Sequence, residues 1–318
     1  MATSARGGGE GEAAAGGGGG GGAAAEMEVE AYRRLFPVAY FERHLRESVR
    51  LDARPLASPR DTSVALGLVG SADGSALVKF GDTTMVAAIK LEVMTPPAES
   101  SDEGSVAVEF YMPPICSPTV RPGRSAEVAP VISKQLSDVI MSSGMINLKD
   151  LCLINGKASW IAYLDIYCLN ADGSLFDAAL VSTVAAFTHL EIPLVSVSDD
   201  GRVVTVPGEL EGKTKLPLVN KDKRKLMLNN VPFSLTCGLH KEHILVDPTA
   251  EEESIIETFV TVVLDTLGRV VSVYKPGGSV LAYTSILKEC ITLAKRRAQQ
   301  LRNILNESVS AMEVDKSS

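Results

Sequence analysis

Apolar residues recur along this chain with two periods, and the switches between them mark its elements. Between Ala126 and Ser143, the positions Val128, Val131, Ile132, Leu136, Val139 and Ile140 share one helical face, which predicts an amphipathic helix. Leu175 to His189 is apolar on nearly every side and predicts a helix enclosed in the interior. Toward the C-terminus Leu287, Ile291, Ala294, Ala298, Leu301 and Leu305 alternate four and three apart, a helix with one buried stripe. Val64 to Val93 reads instead as paired strands turning at Asp73-Gly74 and Gly81-Asp82, and Leu151 to Leu169 as two strands around Asn155-Gly156. Further strands are predicted from Pro193 to Ser198 and near Val231 to Cys237, His243 to Val246, Ile255 to Val263 and Val270 to Tyr274. Tyr32, Leu35, Phe36, Val38, Tyr40, Phe41 and Leu45 suggest short helical segments interrupted by Pro37.

Periodicity alone supports a mixed α and β protein. Residues 1 to 27 are almost wholly Gly, Ala and Glu, a composition that cannot bury enough apolar surface to offset its ordering entropy, so disorder is expected there. The polar Asp199-Asp200-Gly201 turn divides the rest into a first lobe, 28–193, and a second, 194–306, followed by a polar tail, 307–318. Thr95 to Gly104, acidic and rich in Pro and Ser, is expected to be a mobile loop.

Composition narrows the function. With 318 residues and 45% apolar side chains, the core region is long enough for one large or two modest domains. No apolar run approaches the roughly 20 residues that cross a bilayer, and the N-terminus lacks a basic segment followed by an apolar one, so a soluble intracellular protein is expected. The five cysteines, Cys116, Cys152, Cys168, Cys237 and Cys290, are widely spaced among apolar neighbours and read as reduced core thiols. A formal net charge of -8 leaves no global basic surface for phosphates, so any RNA contact must be local. Cations cluster at Arg121 to Arg124, Lys213 to Lys225 and Lys295 to Arg302, and for the last two a solvated face is the stronger reading.

One segment carries the family signal. Asp150 to Pro193 holds an apolar strand, an Asp-Gly turn, a small-residue helix and a second short strand, and in this order it resembles the RNase PH family. The similarity runs from about Tyr32 to about Leu305. Arg50-Leu51-Asp52-Ala53-Arg54 stands where the family has Arg-Pro-Asp-Gly-Arg, and Gly74 to Thr84 matches its first hairpin. Asp247 to Glu253, Lys275 to Ser279 and Tyr32-Arg33-Arg34 fit the branch that supplies ring subunits of the eukaryotic RNA exosome. The resemblance implies an α+β, RNase PH-like fold of two similar β/α lobes, the first like the second domain of a small-subunit ribosomal protein. It also implies a hetero-oligomeric ring with other RNase PH-like subunits, RNA-binding cap subunits, RNA and an associated exoribonuclease, in the nucleus, nucleolus and cytoplasm, serving RNA degradation and rRNA processing.

The same resemblance exposes a missing site. Phosphorolytic members carry Asp-Gly-Gly-Thr-Arg at the turn, whose Thr and Arg grip the attacking phosphate. Here Asp172-Gly173-Ser174-Leu175-Phe176-Asp177 puts Ser174, Leu175 and Phe176 in a degenerate phosphate site, with a carboxylate beside an apolar pair. In the following family motif three cations stand where Glu127 to Ser137 retains only Lys134. Arg121, Arg124 and Lys134 are therefore the RNA-binding candidates, and no catalytic residue, metal or cofactor is expected. Asp247 and Glu253 keep the six-residue spacing of the family's acidic pair, which leaves a phosphate-dependent 3′-to-5′ exoribonuclease as the alternative. A capped turn with a solvated acidic face is the competing account of those acids.

Other motifs are weaker. Lys275-Pro276-Gly277-Gly278-Ser279 lacks phosphate-loop spacing and reads as a strand-to-helix turn rather than the anion site of a stand-alone small-molecule enzyme. His240 and His243, near Cys237, are expected not to share a face, and Trp160 is expected in the core.

Overall fold

In a computed structural model of the chain, residues 20–123, 126–193, 195–197, 203–205, 224–281 and 283–317 are described. Residues up to Pro55 form one compact unit and Leu56–Ser318 another. The first holds α1 (Gly20–Leu35) and α2 (Pro37–Arg46), broken at Pro37, which occupies the start of the second helix, where a missing N–H costs nothing. Tyr32 contacts Phe36 and Tyr40 with ring centroids 5.5 and 6.3 Å apart. Residues 20–27, where disorder was expected, are helical, because α1 already begins at Gly20 and Ala23, Ala24 and Ala25 have the strongest intrinsic helix preference; residues 1–19 lie outside the described residues.

The larger unit begins with β1 (Thr62–Leu66), β2 (Gly74–Phe80), β3 (Thr83–Met94) and β4 (Ser105–Tyr111), followed by α3 (Val128–Ser143), β5 (Cys152–Ile154) and β6 (Ala158–Asn170). These strands form a sheet of order β1-β2-β3-β6-β4, with β5 also on β6; β4 runs parallel to β6 and the other neighbours are antiparallel. Alternation along β6 buries Trp160, Ala162, Leu164, Ile166 and Cys168 and leaves Tyr163 and Tyr167 exposed. Helix α4 (Leu175–His189) lies across β2 and β3 with Phe176 through Phe187 all buried, as its uninterrupted apolar surface requires.

After β7 (Glu191–Ile192), β8 (Val195–Val197), β9 (Val203–Thr205) and β10 (Arg224–Lys225), a second sheet is built from β11 (Phe233–His240), β12 (His243–Val246), β13 (Thr258–Leu264) and β14 (Val270–Tyr274) in the order β12-β11-β13-β14. The short α5 (Ala250–Ile255) joins β12 to β13, and α6 (Thr284–Ser317) packs on β11, β13 and β1. Both sheets thus belong to one compact unit, and α4 and α6 each touch both.

Two further elements depart from the sequence reading. Strand β4 follows directly where only a loop was expected to end, because its half-buried positions give no strict alternation. The strand expected after Pro193 is present as β8, which pairs with β9; Ser198, where it was expected to end, lies outside the described residues. Helix α6 continues past Asn306 to Ser317 because its polar last turns need no burial: the Ser308 hydroxyl donates to the Val64 carbonyl (3.1 Å) and Lys225 pairs with Glu313 (3.0 Å). Among the described residues no helix is long and apolar enough to cross a membrane. All five cysteines are free thiols, and only Cys152 is more than marginally exposed.

Candidate functional site

The degenerate turn lies where the two sheets meet. Its geometry starts with Gly173, whose φ of +76° belongs to glycine and whose missing Cβ would lie 2.4 Å from the Pro248 carbonyl oxygen. Ser174 follows in the left-handed region (φ +49°), buried, with its hydroxyl donating to that same Pro248 oxygen (3.3 Å) instead of capping α4. The backbone N–H of Ser174, which in a phosphate cradle would face the anion, donates instead to Glu253 Oε1 at 2.8 Å. Asp172 answers in the other direction, its Oδ1 accepting the N–H of Ala250 (3.1 Å), the first residue of α5. Each helix start is thereby capped by a carboxylate from the opposite side of the seam.

Arg60 fills the space between. Its guanidinium grips Asp247 through Nε to Oδ2 (3.0 Å) and Nη2 to Oδ1 (2.7 Å), while its backbone N–H also reaches Oδ2 (2.8 Å). Nη1 donates to Asp172 Oδ2 (3.1 Å), to the Asp172 carbonyl and to the Thr83 hydroxyl (3.3 Å), and Nη2 to the Gly173 carbonyl (3.3 Å). Both Arg60 and Asp247 are buried, at 6% and 2% exposure, so this forked pair is shielded from screening. Burial alone would raise the Asp247 pKa, but the hydrogen bonds and charge of Arg60 outweigh it and hold it below the usual carboxylate range.

The remaining acids behave differently. Asp177, fully enclosed in the first turn of α4, accepts from the Ser234 hydroxyl and the Thr236 N–H, both at 2.6 Å, and burial pushes it up to about 6 against those bonds. Burial likewise pushes Glu253 up to about 7, against the Ser174 N–H and the Arg60 charge. The acidic segment is a capped turn as expected, with Thr249 and Glu252 forming a reciprocal capping box. Its acids do not form the expected solvated face, however: Asp247 and Glu252 are buried and Glu253 is turned inward, because Arg60 and the orphan amides of two helix starts attract them.

The side chains of the other candidates take no part in these hydrogen bonds. Leu175 is half-buried, and Phe176 packs edge-on against Tyr274 with centroids 5.9 Å apart, so the apolar pair serves packing. Lys134 is exposed on α3 and paired with Asp138 at 2.8 Å, a surface contact of little energetic weight. It lines an open groove of about 940 Å³ with Met112, Gly123 and the stacked rings of Tyr111 and Tyr167, 4.8 Å apart and 16° from parallel. Arg121 is exposed beside the neighbouring hollow of about 430 Å³, and Arg124 lies outside the described residues. Of the basic clusters, the segment before Arg224 lies outside them too.

Sequence reasoning missed the part played by Arg60, which belongs to no periodic or motif signal, and by Thr83 and Ser234, which lie in the matched hairpin and a predicted strand without any sign of their partners; it also missed the tyrosine pair, which only the parallel pairing of β4 with β6 brings side by side. It also misplaced the histidines. A two-residue hairpin at Lys241-Glu242 pairs His240 directly with His243, which puts them on one face of the sheet. Even so, the described residues contain no group of His, Cys, Asp or Glu arranged for a metal. Lys275 to Ser279 is not the tight turn expected before a helix but opens a longer connection from β14 to α6, which starts at Thr284, with Gly278 at φ +97° pressed against Thr258. Trp160 is buried in the first core, as expected.

Comparison with known proteins gives the geometry its setting. Residues 58–193 match the model of the 3′ exoribonuclease family, domain 1, and residues 230–297 that of domain 2. The chain is 34% identical to Exosome complex component Rrp42 of Methanopyrus kandleri, over 81% of this chain and 91% of that protein. It is 30% identical to Exosome complex component rrp43 of Schizosaccharomyces pombe, over 84% and 94%. Among solved structures it superposes on a chain of the Archaeoglobus fulgidus exosome with RNA bound to the active site, with a TM-score of 0.72 and 27% identity, covering 87% of this chain and 98% of the other.

Proposed function

Since this chain belongs to the 3′ exoribonuclease family through both of its domains, we propose that it is a catalytically inert ring subunit of an RNA exosome, of the rrp43 type. In this reading it helps build the central channel that guides RNA to an associated 3′-to-5′ exoribonuclease for RNA processing and decay. Its partners are other RNase PH-like ring subunits and RNA-binding cap subunits, and its places of work are the nucleus, nucleolus and cytoplasm. The relatives named as exosome components over most of their lengths support the assembly.

The observation that carries inertness is the Glu253 carboxylate on the Ser174 amide. A phosphate cradle needs unspent donors, and here that amide is taken by a carboxylate while the Arg60 fork is spent on Asp247 and Asp172. Leu175 and Phe176 add no donor side chain. Among the described residues, an incoming phosphate would meet carboxylates whose facing cation, Arg60, is already paired.

The phosphorolytic alternative has one feature in its favour: Asp247 and Glu253 converge at the seam, and a carboxyl titrating at about 7 suits proton transfer. Against it, Asp247 is locked by Arg60 on both oxygens. Reconstituting the ring with and without this chain, and following RNA delivery to an added exoribonuclease, tests the channel role. Delivery is expected to fail without the chain, and equal delivery from a ring lacking it would overturn the role.

A further inference from the structure

We propose that the seam between the two sheets is a proton-held clasp, in which Asp177 and Glu253 keep α4 fastened to the second sheet while they carry protons and loosen it as they ionise. The proposal rests on charge count and geometry and does not depend on the ring assignment. Asp172, Asp177, Asp247 and Glu253 converge there, and Arg60 is the cation paired with two of them. Asp247 is ionised by its forked contact with Arg60, and Asp172 shares the same guanidinium. Among the described residues no cation forms an ion pair with the other two, and Glu253 feels the Arg60 charge only at longer range.

Both of those acids are placed so that a proton can be accommodated. The Ser234 hydroxyl 2.6 Å from Asp177 Oδ1 can accept from a carboxylic acid as well as donate to a carboxylate, while Oδ2 goes on accepting the Thr236 N–H. Glu253 uses Oε1 for the Ser174 N–H, an acceptor role that the protonated form keeps through its carbonyl oxygen. The charged and titratable groups facing Glu253 are Arg60, Asp177 and Asp247; those facing Asp177 are Asp247, Glu253 and the thiol of Cys237. Most of these neighbours are acidic, so each ionisation is opposed by the charge already present. Burial, the largest influence, acts in the same direction and pushes Asp177 up to about 6 and Glu253 up to about 7.

The sign follows from linkage. Both groups bind protons more tightly in the folded chain than in the unfolded one. Their contribution is therefore complete below the ordinary carboxylate range and is lost as pH rises through about 6 and about 7. The clasp is set to weaken within the range where cells vary their pH, and it does so at the point where α4 and α5 cap each other.

Amide hydrogen exchange on the full-length chain tests this at the seam itself. Protection of the Ser174 and Thr236 amides, corrected for intrinsic exchange chemistry, is measured between about pH 5.5 and about pH 8.5. The expected result is a loss of protection on the order of tenfold or more across that window, with strands β2 and β3 changing much less. The paired substitution Asp177→Asn with Glu253→Gln keeps the hydrogen-bonding shapes without the charge, and should flatten the profile to within about threefold. Should that chain fail to fold, Glu253→Gln alone is expected to flatten the profile at Ser174. A wild-type profile already flat, or a variant that retains the full slope at Ser174, would overturn the clasp.

Discussion

Glu253 and Ser174 are 79 residues apart in the chain, yet the Glu253 carboxylate accepts the Ser174 backbone N–H at 2.8 Å. A side chain of the second sheet's connection thus sits on the Asp172-Gly173-Ser174 turn, and the same contact both closes that turn and joins the two sheets.

Arg60 should be the most sensitive residue of the seam. Replacing it by Met keeps much of its volume but leaves Asp247 buried without its partner, at a cost of about 3 to 5 kcal/mol. Urea unfolding reads this directly. Adding Asp247→Leu to Arg60→Met should recover a large part of the loss, since no uncompensated charge then remains. A loss below about 1 kcal/mol for the single variant would mean the network contributes little.

Gly173→Ala tests the packing of the turn. The new Cβ would meet the Pro248 carbonyl at 2.4 Å from a backbone with φ +76°, so a loss of at least about 2 kcal/mol is expected in the same unfolding measurement. Gly156→Ala, also at positive φ but with open space around it, should cost only about 1 kcal/mol. Equal costs at the two sites would remove the close approach as the reason for glycine at 173.

For RNA contact, Arg121→Glu with Lys134→Glu should weaken capture by the assembled ring by about 1 to 3 kcal/mol, through lost charge-assisted phosphate bonds. Binding at several salt concentrations should show a shallower dependence for the variant. Unchanged crosslinking and an unchanged slope would return both side chains, exposed as they are, to the role of solvated surface.

The N-terminal unit offers an assembly test. Met27, Val29 and Leu35 on α1, Phe36 between the helices and Val38 on α2 are half to three-quarters exposed, more apolar surface than a short helical pair usually leaves to water. Removing residues 1 to 25 should leave co-purification with other ring subunits intact, and removing residues through Leu45 should impair it. Full assembly by the longer deletion would place the contact elsewhere.

What was legible in the sequence follows from period and motif. The enclosed α4, the stripe of α6 and the buried Trp160 all depend on local apolar spacing, and the loss of Thr and Arg at Leu175 and Phe176 is visible as letters. Arg60 was not legible, because an arginine between Pro59 and Asp61 looks like any loop cation until folding brings Asp247, 187 residues away, onto it. The inward turn of Glu253 was hidden for the same reason: its partner is a backbone amide, which no side-chain pattern announces. His240 and His243 show the opposite failure: their strand-turn-strand setting was expected, but not the direct cross-strand pairing that puts residues three apart on one face.

The central claim, that this chain retains the family's frame without its phosphorolytic chemistry, is tested most directly by incubating the purified chain with single-stranded RNA and inorganic phosphate and measuring released nucleoside diphosphates. No phosphate-stimulated release is expected, because the Ser174 amide is occupied by Glu253 and Arg60 is committed to Asp247 and Asp172. Phosphate-dependent release of nucleoside diphosphates that disappears in Asp247→Ala would contradict it.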